Sequence, residues 1–246
     1  MSSGQSTPTL EHPGAARDRF NPGVDPLDNP IWAALTGPQA PLAERLGRAA
    51  RFPVDISPFA AVDDPADPRA WPELARLVGP GGTAMIAAPR QSPPAGWEQV
   101  GGGPGVQMIA EHLAVAADPE ALLLTEADVP EILDLVERTR PGPFRKRTWE
   151  LGTFLGIRRD GVLAAIAGER MRLPGRTEIS AVCTDPAYRG QGLASRLVLA
   201  VAAGIQARGE RAMLHAAADN TSAIRLYRHL GFTPRTALTF AVYTAP

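Results

Sequence analysis

The chain has 246 residues, of which 44 % are hydrophobic and 21 % charged, the texture of a globular protein with room for one large domain or two small ones. A formal net charge of −1 gives no general pull toward nucleic acid or an anionic membrane, and no apolar run reaches the roughly 18–20 residues needed to span a bilayer. Cys183 is the only cysteine, which excludes an intrachain disulfide and fits a reducing, cytoplasmic setting.

Residues 1–28 carry Pro8, Pro13, Pro22 and Pro26 among Ser, Gly and Asp and read as a flexible arm. The uncharged start, residues 1–9, lacks the chemistry of a secretory signal. Residues 29–117 read as a smaller α/β domain of unassigned role. Trp32, Leu35, Leu42 and Leu46, interrupted by Pro38 and Pro41, suggest short helical pieces over residues 29–50. Residues 71–78 predict a helix with Pro72 in its first turn, and residues 83–88 and 106–110 predict strands. The glycine-rich stretches 79–82 and 101–105 read as turns, because Pro80 and Pro104 lack the amide hydrogens that a phosphate cradle needs.

Asp118-Pro119 marks a boundary, and residues 118–246 form the second unit. Residues 121–125 predict a strand, 126–140 a helix, and 153–158 and 162–170 two strands joined by an Asp160-Gly161 turn. Pro174-Gly175 makes another turn before a strand at 177–184. A helix over 190–208 shows Leu193, Leu197, Val201 and Ile205 on one face and stops at Gly209. A strand at 212–217, a helix at 220–230 ending at Gly231, and a strand at 237–244 complete a mixed α/β fold. Its sheet is expected to be twisted, with helices on both faces.

Two segments carry the chemistry. In the first, the strand through Val182, Cys183 and Thr184 enters a turn at Pro186, and Arg189-Gly190-Gln191-Gly192-Leu193-Ala194 then opens an amphipathic helix. Unpaired amides at that helix start, a favourable dipole and small residues make an anion site. A dinucleotide fingerprint would need a glycine where Ser195 stands, and the lysine of a P-loop is missing. The second segment runs from Asn220, which opens a helix, through Ala223, Leu226 and Tyr227 to Gly231-Phe232.

Together these segments resemble the two hallmarks of the GNAT acetyltransferase superfamily, the Arg/Gln-x-x-Gly-x-Gly/Ala loop and an Asn-led helix with Ala-x-x-Leu-Tyr-x-x-x-Gly-Phe. The resemblance covers roughly residues 121–246 and implies acetyl-coenzyme A as co-substrate. It places Val182, Cys183, Thr184, Arg189, Gly190, Gln191, Gly192, Leu193, Ala194 and Asn220 around the coenzyme, between strands that splay apart after Thr184 and Ala217. It implies acetyl transfer to a primary amine by direct attack, with Tyr227 as general acid and Glu178 as base, Glu169, His215 and Asp219 competing for the latter role. An acyl-coenzyme-binding regulator without turnover is the alternative. The segment 29–117 is then either an interaction module or a degenerate copy of the same fold. The acceptor is expected to be a small-molecule amine, with a protein amino group as the other option. Acceptor contacts are expected from about residues 140–150, where Arg145-Lys146-Arg147 could attract an acidic group, although a solvated charged face explains the cluster equally simply. Neither metal, nucleic acid nor membrane is expected as partner, and a homodimer is left open.

Overall fold

The computed structural model describes residues 25–89 and 91–246, so most of the expected arm lies outside the described residues. Its end, from Asp25, is not loose. A 3-10 turn at Pro26–Asp28 buries Leu27, and Asp25 and Asp28 both pair with Arg235. Helix α1 (Pro30–Leu35) follows, its first turn capped by Asn29. The chain then forms β1 (Glu44–Leu46), β2 (Ala49–Arg51) and β3 (Ala60–Val62), a three-stranded antiparallel sheet, where residues 29–50 had suggested only helical pieces. Helix α2 (Ala70–Val78) lays Ala70, Trp71 and Leu74 against this small sheet and stops at Gly79, φ +83°.

The remaining strands form one eight-stranded sheet. They are β4 (Thr83–Ala88), β5 (Glu98–Ile109), β6 (Leu122–Leu123), β7 (Phe154–Arg159), β8 (Val162–Leu173), β9 (Arg176–Thr184), β10 (Arg211–Ala217) and β11 (Thr233–Thr244), in spatial order β4-β11-β5-β10-β9-β8-β7-β6. Three helices complete the fold: α3 (Val129–Thr139), α4 (Leu193–Ala207) and α5 (Thr221–Leu230). Side chains alternate across the sheet. Ala212 and Leu214 of β10 face α4 and α5, while Met213 between them faces α1. Helix α3 covers Phe154, Ile166 and Cys183.

The sheet order corrects the division at residue 118. Strand β5, upstream of that point, lies between β10 and β11 and pairs antiparallel with both, from Ile109↔Met213 to Gly105↔Ala217 on one side and along most of β11 on the other. Strand β4 closes the sheet on the far side of β11. Residues 29–117 therefore supply strands to the same eight-stranded sheet and are not a second copy of it.

The reading of residues 101–105 as a turn is also overturned, because they lie inside β5. A Cβ on Gly105 would stand 2.5 Å from the Phe240 ring, so glycine there admits the aromatic side chain of β11. Pro104 is tolerated because pairing with β10 ends at Gly105, and the Pro104 carbonyl accepts the Ala218 amide at 2.9 Å.

Candidate active site

Strands β9 and β10 pair in parallel only at Arg176↔Arg211, Thr177↔Ala212 and Glu178↔Met213. Both continue, to Thr184 and Ala217, without pairing further, and the gap between them opens into a cavity of about 850 Å³. Residues 179–184 form one wall and 215–217 the other. Opposite β8 the register shifts: Ile166 faces Cys183 but Gly168 faces Ser180, which puts an extra residue into β9. Ala181 takes up the bulge at φ +53°, a left-handed conformation unfavourable for a residue with a Cβ. The bulge thus lies in the wall that borders the cavity.

At the end of this wall, Asp185 caps the turn through the Ala187 amide, 2.9 Å, and is held by Arg138, 2.9 Å. Gly190 and Gly192 then adopt φ +80° and +70°. Nothing lies within 4 Å of a Cβ built on either, so glycine is required here by backbone twist rather than by packing. Helix α4 begins at Leu193 instead of Gly190 and has no side-chain cap. The amides of its first turn lack a carbonyl four residues earlier, and Leu193, Ala194 and Ser195 all border the cavity. Arg189, Gly190 and Gly192 border it too, whereas Gln191 does not.

Across the gap, the Asn220 side chain caps α5 by accepting the Ala223 amide at 3.1 Å. One turn further along, Tyr227 is 7 % exposed, packs edge-on against Phe232 with ring centroids 6.0 Å apart, and lines the cavity. Among the described residues its hydroxyl has no hydrogen-bond partner. Burial pushes its pKa up to about 12, so the phenol remains a proton donor throughout the neutral range. Cys183 contributes backbone to the cavity wall, but its thiol is sunk among α3 and β7 residues. Burial pushes that thiol up to about 11, which removes it as a nucleophile near neutrality.

Glu178 is not where a general base belongs. Its side chain is fully buried, does not line the cavity, and is held by Arg170 Nε at 2.8 Å, Arg170 Nη2 at 2.5 Å and His215 Nδ1 at 2.8 Å. Burial alone would raise its pKa, but the charge of Arg170 and the His215 contact override this and hold the carboxylate down at about 2. A carboxylate so acidic, with no opening to the cavity, neither reaches nor takes a proton from an incoming amine.

The competitors fare no better. Glu169 is 5 % exposed and bonded to Arg208 at 2.9 Å. Asp219 does not border the cavity. The His215 side chain is sealed, with Nε2 3.1 Å from Gln107 Nε2. Arg235 donates to Gln107 Oε1 at 3.0 Å, which makes the Gln107 nitrogen a donor to His215 Nε2 and leaves His215 Nδ1 to donate to Glu178. The result is a buried chain across five adjacent strands, from Arg170 on β8 to Arg235 on β11.

Phe59, Met85, Arg170 and Phe240, which no local motif announces, also line the cavity, together with residues 139–143, which overlap the start of the stretch 140–150 expected to meet the acceptor. Of the charged cluster nearby, Arg147 is tied to Asp55 and Glu150, while Arg145 and Lys146 border a separate, smaller hollow.

A family described as FR47-like protein matches residues 154–241. The crystal structure of a protein assigned to the GNAT acetyltransferases, from Novosphingobium aromaticivorans, has 43 % sequence identity and a TM-score of 0.84, covering 91 % of this chain and 100 % of that one. The chain belongs to the GNAT family. A GCN5-related N-acetyltransferase from Kribbella flavida shares the fold at 20 % identity and a TM-score of 0.56, covering 83 % of this chain and 89 % of that chain. Mycothiol acetyltransferase from Thermobispora bispora is 46 % identical over 57 residues, which are 23 % of this chain. The match spans only 19 % of the length of that curated relative.

In this GNAT chain, then, Tyr227, Asn220, residues 182–184 and most of the phosphate-type loop meet at one cavity, while Glu178 and Gln191 stand outside it. Ser195 and Ser222 also border it. Ser195 could have been found by following the first helical turn of α4 one residue further. Arg170 had no such signal, because its placement depends on strand register.

Proposed function

We propose that this protein transfers an acetyl group from acetyl-coenzyme A to a primary amine by direct attack. The observation that carries the proposal is the joining, in one cavity between splayed strands, of an anion-type helix start with a buried phenol that has no hydrogen-bond partner among the described residues. The pyrophosphate of the coenzyme suits the Gly190–Ala194 amides and Arg189, and the open space at Gly190 and Gly192 lets its oxygens approach the backbone. Pantetheine would run along residues 182–184 as an added strand, and an amide next to the bulge, that of Val182 or Cys183, would polarise the thioester carbonyl.

The neutral amine attacks the carbonyl carbon, the carbon–sulfur bond breaks, and one amine proton ends on the sulfur. No strong base is required if the amine enters uncharged. Tyr227 donates a hydrogen bond to the departing sulfur. Complete transfer of its proton would be uphill, since a thiol near pKa ~8.5 is more acidic than a phenol near 12. Tyr227 therefore stabilises the thiolate rather than replacing the proton that the amine supplies. The short match to mycothiol acetyltransferase supports acetyl transfer and does not extend to the acceptor.

Calorimetry with acetyl-coenzyme A on the wild type, Gly192→Gln and Gly192→Glu tests the coenzyme site. Both variants carry the same backbone strain at φ +70°, and only the second adds negative charge. The expected order of affinity is wild type, then Gln, then Glu. Absence of binding by the folded wild type would remove the proposal.

A further inference from the structure

The position of Arg170 in the cavity lining is not explained by the coenzyme or by the family signature. Its side chain is 10 % exposed, and its guanidinium lies 4.7 Å from the centre of the Phe59 ring, which fixes its plane. Nε and Nη2 are committed to Glu178. Among the described residues Nη1 has no partner. The buried side-chain atoms left unpaired are Gln91 Oε1 and Arg176 Nη1, so Arg170 Nη1 is not sealed in and opens onto the cavity that Arg170 lines. A directed donor thus stands beside Phe59, in a cavity that Met85, Phe240, Pro141 and Pro143 also line.

The charge balance narrows what this donor receives. Arg170 and Glu178 cancel, and His215 is engaged at both ring nitrogens, by Glu178 and by Gln107. Among the described residues lining the cavity there is no Asp or Glu, while Arg140 and Arg189 are present. A buried ammonium would find no counter-charge there, and a carboxylate on Nη1 would leave the buried network with a net negative charge. An uncharged oxygen meets neither penalty.

We infer that Arg170 is a specificity-determining residue: its Nη1 selects a weakly basic primary amine, bound as the free base, with an apolar body and an uncharged oxygen such as an amide carbonyl. The inference rests on the acetyl-transfer reading above. An α-amine with a pKa of about 7.7–8.0 presents its free base near neutrality about 300-fold more often than an alkylamine near 10.4.

Three probes separate these features: phenylalaninamide (weakly basic, neutral oxygen), phenylalanine (carboxylate) and 2-phenylethylamine (no oxygen). Their binding is measured by saturation-transfer NMR near pH 8, without coenzyme, on the wild type, Arg170→Lys and Arg170→Gln. The wild type is expected to prefer phenylalaninamide about tenfold, the effect of one hydrogen bond from a charged donor. Arg170→Lys keeps a cation on Glu178 but loses the second arm, so the preference disappears while acetyl-coenzyme A affinity, measured separately by calorimetry, stays within about twofold.

A wild type that binds the three probes alike overturns the inference, as does Arg170→Lys that retains the preference. Arg170→Gln orphans Glu178; if neither variant folds, the wild-type ranking alone decides. Lack of coenzyme binding beside an intact Arg170-dependent preference would sink the acetyl-transfer reading and not this one.

Discussion

Tyr227 and Glu178 are both buried, and their neighbours decide what each side chain can do. Both lie next to the gap between β9 and β10, but only Tyr227 borders it. Replacing Tyr227 by Phe removes a hydrogen bond to developing negative charge, an effect of about 1.5–3 kcal/mol, so kcat should fall about 10–100-fold with coenzyme affinity unchanged. Because the phenol is pushed to about 12, it does not titrate in the working range, and the loss should be the same at every pH tested. An unchanged kcat would leave Tyr227 as a packing residue only.

Glu178 belongs to stability rather than turnover. Its pKa is lowered in the fold, from 4.5 to about 2, so its contribution is complete above about pH 4.5 and is lost as pH falls toward 2. Glu178→Gln removes the counter-charge of nearly buried Arg170 and should cost about 3–5 kcal/mol near neutrality. Melting curves between pH 5 and pH 2 should show a steep loss for the wild type and a flatter one for the variant. Parallel curves would mean that the carboxylate is not held as the geometry indicates.

Strands and helices differ in how much of their placement is written locally. The α4 and α5 ends are marked by Gly192, Asn220 and Gly231, each acting within a few residues, and the loop and helix carrying the family hallmarks are legible in the sequence by themselves. Strand β5 is marked by nothing local. Gly101, Gly102, Gly103, Pro104 and Gly105 resemble a turn, and their partner β11 lies more than a hundred residues downstream. The Arg170–Glu178 pair was hidden for a related reason. Register shifts between β8 and β9 decide which side chains meet, and simple alternation does not foresee them.

Gly105 links this element to the site. A Cβ there would lie 2.5 Å and 2.9 Å from Phe240 ring atoms and 3.0 Å from Leu238 Cδ1. Gly105→Ala must displace the Phe240 ring, which borders the cavity, at a cost of about 1–3 kcal/mol. The expected result is a Tm lower by about 2–10 °C and a raised acceptor KM, with coenzyme affinity unchanged. A weakened coenzyme site instead would show that β5 acts through β10 and not through Phe240.

For the molecule as a whole, the sheet order decides what can fold alone. A fragment of residues 118–246 contains both family hallmarks and matches the division that composition suggests. It would leave β11 without either neighbour, since β4 and β5 are both upstream, and would strip β10 of one side. It would also expose Met171, Leu173, Met213 and Leu238, which pack against Leu27, Ile31, Leu35, Phe52 and Phe59. Arg235 would lose Asp25, Asp28 and Gln107, and His215 would lose the donor to its Nε2. The fragment is therefore expected to lack a cooperative melting transition and to expose apolar surface to a hydrophobic dye, while the full chain melts in one step. Calorimetric scanning of both, with acetyl-coenzyme A added in a second pass, makes the comparison. A fragment that melts cooperatively near the full-chain Tm, and is stabilised by the coenzyme, would show that β5 is an accessory to a self-sufficient core. A fragment that does neither would mean that the coenzyme cavity, although lined mostly by downstream residues, depends on upstream strands for its existence.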